Sequence, residues 1–286
     1  MRGTIWGAWW VPGESHGYVE WWAGRSFHQG VWAKREARVK VLPEGESKVG
    51  LTYLRPLDES SALGMSRGRI VKVRLPSMEV ALESRVPVAA NAAKVGSVVL
   101  SKARDTLAYV VEEGERSMLV LRRTSDLTVL AEIEPPMGLS FSMLPHAVAI
   151  SPDGVRVVVD AYVTKTGPVL QPDSVHELVI ADGLGGRIER QLAIDGRNAL
   201  ALSPDGSLLV AGRTIRDTAR SGSYASAGIY DLRSGAELAR VRHAAVTEPR
   251  DNPFAADFSG VAFDPNGRYL VTSTQHTRVW RIYREQ

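Results

Sequence analysis

Six histidines, at positions 16, 28, 146, 176, 243 and 276, are the side chains best suited here to proton transfer or metal binding. No two of them form a His-x-His or His-Glu-x-x-His pair, the spacings that bring two ligands together. A lone histidine is ordinarily a capping or hydrogen-bonding group, so no metal ligand is assigned. The chain has no cysteine, which removes disulfides, thiolate metal sites and cysteine nucleophiles together. Asp58, Glu59, Asp173, Asp217 and Asp251 lie in polar stretches beside Arg67, Arg213, Arg216, Arg220 and Arg250. Such carboxylates could meet around a metal in a channel. Mixed with arginines, they equally suit a polar protein interface. Ser151, Ser203 and Ser234 stand in turn sequences, where hydroxyls bond the backbone. There is no Gly-x-Ser-x-Gly elbow and no phosphate loop. The glycines of 183–186 join two strand-like segments, so they lack the helix N-terminus that a phosphate site would use. No catalytic residue and no cofactor follow from these residues.

The elements that position them form a repeat. HAVAISPDGVRVVVDAY (146–162) reads as an apolar strand, a Ser-Pro-Asp-Gly turn and a returning strand. Pro152 presets φ at the first corner, Asp153 bonds its own backbone, and Gly154 accepts the closing conformation. The unit returns as NALALSPDGSLLVAG (198–212) and SGVAFDPNGRYLVTS (259–273), with Ser151, Ser203 and Asp264 in register at spacings of 52 and 61 residues. Weaker copies are expected over 37–54, around Pro43-Glu44-Gly45, and over 96–111. Two further strand candidates follow each hairpin, giving four antiparallel strands in about 50 residues, the layout of a propeller blade.

IYDLRSG (229–235) and TQHTRVWRIYRE (274–285) look like the third strand of WD-type propeller repeats. The Ser-Pro-Asp-Gly hairpins resemble those of bacterial WD-repeat-like propellers. The likeness covers roughly residues 37 to 286. Gly-His and Trp-Asp dipeptides are mostly missing, and His276 stands where that pattern carries Asp. The resemblance implies a scaffold or recognition module, one component of a larger complex.

The expected architecture is all-β, a single propeller domain of four-stranded antiparallel blades, over residues 1–286. A tally of roughly 22 strands at four per blade favours six blades, with seven as the alternative. The repeats are placed at 37–87, 96–133, 146–193, 198–241 and 259–286, with an irregular Trp-rich closing blade over 1–36. The last repeat stops after three strands, and an open edge exposes backbone groups. TIWGAWWV (4–11) is therefore expected to pair with the C-terminal blade and close the ring. Six of the seven tryptophans lie in the first 32 residues. They suit either packing between blades or an aromatic contact surface.

With 35 basic and 32 acidic residues, the net charge of +3 is spread without a basic run, so nucleic acid is not an expected partner. No continuous apolar run of membrane-spanning length occurs, and no membrane association is expected. The N-terminus lacks a signal peptide's unbroken apolar core, which points to the cytoplasm; a chain stripped of an export signal would read the same. A fragment of a longer protein would also fit.

If strands a to d run outward in each blade, the a–b and c–d turns are tight, whereas 57–68, 163–174 and 213–226 (b–c) and 134–145 and 242–257 (d–a) are long. All this elaboration falls on one face, and long loops on a rigid scaffold are where binding resides. The expected function is a non-catalytic scaffold that binds a protein partner there. The face would use His146, Arg197, Asn198, Arg213, Arg216, Asp217, Arg220, Tyr224, His243, Arg250, Asp251 and Phe254. The alternative is a propeller enzyme, of hydrolase or lyase type, holding a small molecule or metal at the central channel.

Overall fold

The computed structural model describes residues 4–10, 16–23, 26–33, 39–41, 52–58, 60–66, 68–75, 77, 79–86, 94–103, 105–114, 116–144, 146–163, 175–194, 199–217, 222–243, 260–274 and 277–283. All regular structure among them is β, and no helix occurs. The chain divides into two compact units, residues 1–93 and 94–286.

The first unit holds two four-stranded antiparallel sheets. One is β1 (Thr4–Trp10), β2 (His16–Ala23), β3 (Ser26–Ala33) and β4 (Val39–Val41), in that order. The other is β5 (Thr52–Pro56), β6 (Ser61–Ser66), β7 (Arg69–Arg74) and β8 (Val80–Arg85). Three expectations are corrected here. The stretch 37–54 is not one hairpin: β4 pairs with β3, and β5 with β6. Nor is 57–68 a loop, because it contains β6. Ser61-Ala62-Leu63-Gly64-Met65-Ser66 has little intrinsic strand preference. It is a strand because Ala62, Leu63 and Met65 are buried there. The residues 1–36 are not irregular either, since three regular strands cover most of them. β1 is bonded to β2 from Thr4 to Trp10, at the end of its own sheet.

The second unit stacks four sheets. The first runs β9 (Lys94–Leu100), β10 (Thr106–Glu113), β11 (Arg116–Arg123), β12 (Val129–Ile133). The second contains β13 (Leu139–Phe141), β14 (Val148–Ile150), β15 (Arg156–Val163), β16 (His176–Asp182) and β17 (Arg187–Leu192). The third is β18 (Ala199–Leu202), β19 (Leu208–Asp217), β20 (Gly222–Asp231), β21 (Glu237–Arg242). The last is β22 (Gly260–Phe263), β23 (Tyr269–Ser273), β24 (Thr277–Arg281). β9 contacts β14, β14 contacts β18, and β18 contacts β22, so the first full strand of each hairpin lines one side of the stack. β13 comes from the expected loop 134–145 and continues β14's line along β15, pairing Leu139–Phe141 with Ala161–Val163.

Side chains from neighbouring sheets interleave. β15 sends Val157, Val159 and Ala161 into one core with β10 and β11, and Val158 into the next with Leu200, Leu209 and Ala211. A strand sandwiched this way must be apolar on both faces, which is why its sequence is a continuous Val run rather than an alternating one. A third cluster joins Val210, Ala225, Ala227 and Ile229 to Leu270, Val261 and Trp280.

The repeated turns follow from one local arrangement. Ser151 N–H donates to the Arg156 carbonyl at 2.8 Å, while Arg156 N–H donates to Ser151 Oγ at 2.8 Å. The serine side chain thus accepts the hydrogen bond that a regular ladder would give to a carbonyl. Ser203 does the same for Leu208, Ser101 for Thr106, and Asp264 for Tyr269 through Oδ1 at 2.7 Å. Gly154, Gly206 and Gly267 close the turns at φ of 74°, 69° and 68°, the left-handed region that favours glycine. The residue that ends the third strand then donates its N–H to the a–b turn of the same sheet. The pairs are Leu75 to Ser60, Thr124 to Asp105, Gly183 to Val155, Leu232 to Ser207 and Ile282 to Arg268. In those five sheets the tight turns therefore lie at one end, and the b–c and d–a connections lead from the other.

Candidate functional site

At that opposite end, the sites expected from sequence fall into two places. Arg213, Arg216, Asp217 and Tyr224 share one hairpin. The stretch 213–226 is not a loop: β19 and β20 stay paired to their tips, Arg213 with Ser226, Ile215 with Tyr224 and Asp217 with Gly222. β18 accompanies β19 only as far as Gly212 and β21 accompanies β20 only to Ser226, so four residue pairs, Thr214–Ala225 to Asp217–Gly222, extend past both as a two-stranded ribbon. Backbone pairing of this kind hid behind Arg, Ser, Thr and Gly, which read as loop composition. Tyr224 is half-buried, and the Arg242 guanidinium lies 5.6 Å from its ring centroid, within reach of a cation–π attraction. Arg213 is half-buried on the same side of the hairpin. Further along that side, Arg240 reaches Ser226 Oγ and the Tyr230 hydroxyl at 3.4 Å each and pairs with Glu237 at 2.5 Å. That guanidinium holds the Glu237 carboxyl below its ordinary value.

His243 stands at the hairpin's base, its N–H donating to the Ala225 carbonyl. Its side chain is buried, with Nε2 2.7 Å from Thr272 Oγ1 and Nδ1 3.3 Å from Thr274 Oγ1. Trp280 Nε1–H also donates to Thr272 Oγ1, at 2.8 Å. An indole only donates, so the Thr272 oxygen accepts from it. The histidine is thereby built into the packing that anchors the ribbon.

His146 is elsewhere, exposed two residues before β14 with φ of 67°, and its carbonyl accepts the Leu200 N–H. Arg197, Asn198, Arg220, Arg250, Asp251 and Phe254 lie outside the described residues, as do Glu59, Asp173 and His276. Asp58 is exposed, and its carboxylate accepts from Ser60 N–H, Ser60 Oγ and Ser61 Oγ, so it caps a tight turn. Among the described residues no group of three His, Asp or Glu side chains is placed to hold a metal.

The structure adds a pair that was not singled out. Asp160, fully buried on β15, lies 3.0 and 3.1 Å from His176 Nδ1 on β16, and the Tyr162 ring is 6.0 Å from the imidazole. Burial raises the Tyr162 phenol above its ordinary pKa. An Asp inside VRVVVDAY was the available signal, since a carboxylate in an apolar strand needs a partner.

Comparison with known proteins defines the class. No protein-family model matches the chain, and no curated protein matches it. Among solved structures, the chain is similar to a calcium-binding protein, regucalcin, from Agrobacterium tumefaciens strain C58. That match has 13% identity and a TM-score of 0.53, covering 94% of this chain and 81% of that one. It is also similar to a chain of the complex of KlAtg21 with the coiled-coil of AgAtg16. Here identity is 11% and the TM-score 0.57, with coverage of 99% and 81%. At such identities the likeness is one of fold, and the fold is all-β and β-propeller-like.

Proposed function

We propose that the protein is a non-catalytic, WD-repeat-like bacterial propeller of six blades, closed into a ring by its N-terminal strand. It acts in the cytoplasm and binds a protein partner through the face opposite the tight turns. The projecting β19–β20 ribbon is the principal contact. Its rigid backbone pairing past the end of β18 carries the proposal. A ladder-paired ribbon presents side chains with little ordering entropy left to lose on binding. Tyr224 and Arg242, stacked at its side, belong to the residue types that anchor interfaces. His146, Arg197, Asn198, Arg250, Asp251 and Phe254 are assigned to the rim of the same face.

The test replaces residues 216–223 by a two-residue turn. Arg213 to Ile215 and Tyr224 onward are kept, because Ala225 is buried and carries the His243 hydrogen bond. The trimmed protein should melt within a few degrees of the parent and lose its stoichiometric partner in affinity capture. A large drop in melting temperature would show the ribbon to be structural instead.

A second reading, a channel-centred enzyme, is favoured by one observation, the buried Asp160–His176 pair beside Tyr162. The likeness to a protein described as calcium-binding is compatible with it. Stoichiometric calcium in the purified protein, lost on Asp160→Asn and with no protein partner captured, would favour this reading.

A further inference from the structure

The tight-turn end of the second unit holds a groove that the ribbon does not touch. It lies between the sheet of β13–β17 and the sheet of β18–β21, which share one core, and its volume is about 600 Å³. Ile180 and Leu232 form its floor, and Arg156, Arg190 and Arg233 stand around it. Past Arg156 it continues inward between the two Ser-Pro-Asp-Gly turns, along Pro152 and Pro204. The repeat marks this groove as a departure. In three sheets the third strand meets the fourth at the same bulge, and the residues opposite Leu121, Ile180 and Ile229 are Ala131, Arg190 and Ala239. Arginine thus replaces alanine in one copy. The preceding gap is closed instead: a Cβ on Gly183, which ends its strand as Leu232 does, would lie 2.3 Å from Leu121 Cδ2.

Arg190 crosses to the neighbouring sheet and donates from both terminal nitrogens, to the Arg233 carbonyl and to the Ser234 carbonyl at 2.7 Å. Carbonyls occupy its donors and leave its charge uncancelled. Among the described residues neither Arg190 nor Arg233 forms an ion pair. Arg156 is paired with Glu189 at 3.0 Å, and the Asp231 carboxylate accepts Ser234 N–H and Oγ at 2.6 Å each. The outer end of the groove is therefore cationic over an apolar floor, whereas the inner end carries Asp153 and Asp205.

We propose that this groove docks an extended segment of a partner protein that carries a carboxylate two residues from an apolar side chain. The carboxylate meets Arg190 and Arg233, and the apolar side chain lies over Ile180 and Leu232. Two residues of extended chain span about 6.6 Å and adjacent strands lie about 4.8 Å apart, so the pair reaches from the third-strand floor to the fourth-strand arginine. Asp153 and Asp205 set the direction by repelling the acid from the inner end. A groove open along one side suits a peptide better than a small molecule, whose sites bury about 70–90% of its surface.

The test uses the full chain and a fluorescein-labelled nonapeptide of Thr and Ser with Leu at position four and Glu at position six. One counterpart carries Lys at position six, and another moves Leu to position five, which turns it to the opposite face. Anisotropy should show saturable binding of the first peptide and at least tenfold weaker binding of both counterparts. Arg190→Ala installs the residue of the flanking sheets. It should weaken binding at least tenfold and move the melting temperature by no more than a few degrees. Arg190→Glu with Arg233→Glu should reverse the preference between the Glu and Lys peptides, which serves as the second variant if alanine disturbs the turn. Equal binding of the three peptides, or no binding of any, overturns the proposal, as does binding that Arg190→Ala leaves unchanged. Self-association that Arg190→Ala abolishes, read by sedimentation, would make a second copy of the chain the occupant and overturn it too.

Discussion

Replacing Ser203 by Ala tests the account of the repeated turn most directly. Ser203 is fully buried; its Oγ accepts Leu208 N–H at 2.8 Å and donates to Asp205 Oδ1 at 2.6 Å. Alanine leaves the Leu208 N–H beside a methyl group, and a buried donor without an acceptor costs about 1–3 kcal/mol. Asp205 keeps its bonds from Ser207 N–H and Oγ, so that carboxylate stays occupied and adds little to the loss. The expected total is about 2 kcal/mol, or about 4–8 °C in melting temperature for a unit of this size. The last sheet performs the same turn with different residues: Asp264 Oδ1 accepts Tyr269 N–H and Oδ2 accepts Asn266 N–H. Aspartate at the first position therefore goes with asparagine at the third. Ser203→Asp alone would set two carboxylates against each other and should be worse than alanine. Ser203→Asp with Asp205→Asn converts the turn to the last sheet's form and should recover more than half of the alanine loss. Thermal and urea unfolding followed by circular dichroism would measure all three. If Ser203→Asp were as stable as the double variant, the hydroxyl–carboxylate pairing would not be the reason for the motif.

Two further outcomes rest on other parts of the fold. A Cβ on Gly96 would lie 2.4 Å from the Met143 carbonyl oxygen, backbone against backbone, so Gly96→Ala should cost about 2 kcal/mol or more in urea unfolding. Burial pushes the Tyr109 phenol up from 10.0 to about 12, against the pull of Arg122, whose Nε–H donates to it at 2.9 Å. The folded state thus holds that proton more tightly than the unfolded chain, and this stability is complete below about pH 10 and lost as the pH rises toward 12. Asp153, Asp182, Asp231 and Asp264 are lowered, mainly by hydrogen bonds within their turns; their stability is present above the ordinary carboxylate range and lost as the pH falls below it. Tyr109→Phe should flatten the alkaline arm of a stability–pH curve and leave the acid arm unchanged.

What could be read from the sequence is what the chain determines locally. Ser-Pro-Asp-Gly and Asp-Pro-Asn-Gly dictate their turns through bonds spanning five residues, so the hairpins of the last three sheets and the ends carrying their tight turns were legible. β6 and β13 were not. Ser-Ala-Leu-Gly-Met-Ser and Leu-Ser-Phe carry no strand signal of their own and are held by neighbours: Phe141 N–H, for instance, donates to Ser117 Oγ at 2.6 Å, on a different sheet. The ribbon was legible as a functional stretch, since its length and arginines marked it. Its backbone state was not, because strand pairing between Arg216 and Ser223 leaves no trace in hydropathy. His243 was chosen for the binding face, but its partners Thr272 and Trp280 lie some thirty residues on, and no short spacing announces such a network.

Among the described residues, every sheet is drawn from one uninterrupted stretch of chain. During synthesis, each can pair its strands as soon as its own residues have left the ribosome, with no partner strand still to be made. Its apolar faces are another matter. Val158, Leu178 and Ile180 have nothing to bury against until Leu200, Leu209 and Ala211 emerge. The growing chain therefore always carries one formed but uncovered sheet at its leading end. A pause in translation near residue 195 would prolong that exposure, and a chaperone would find its binding surface there.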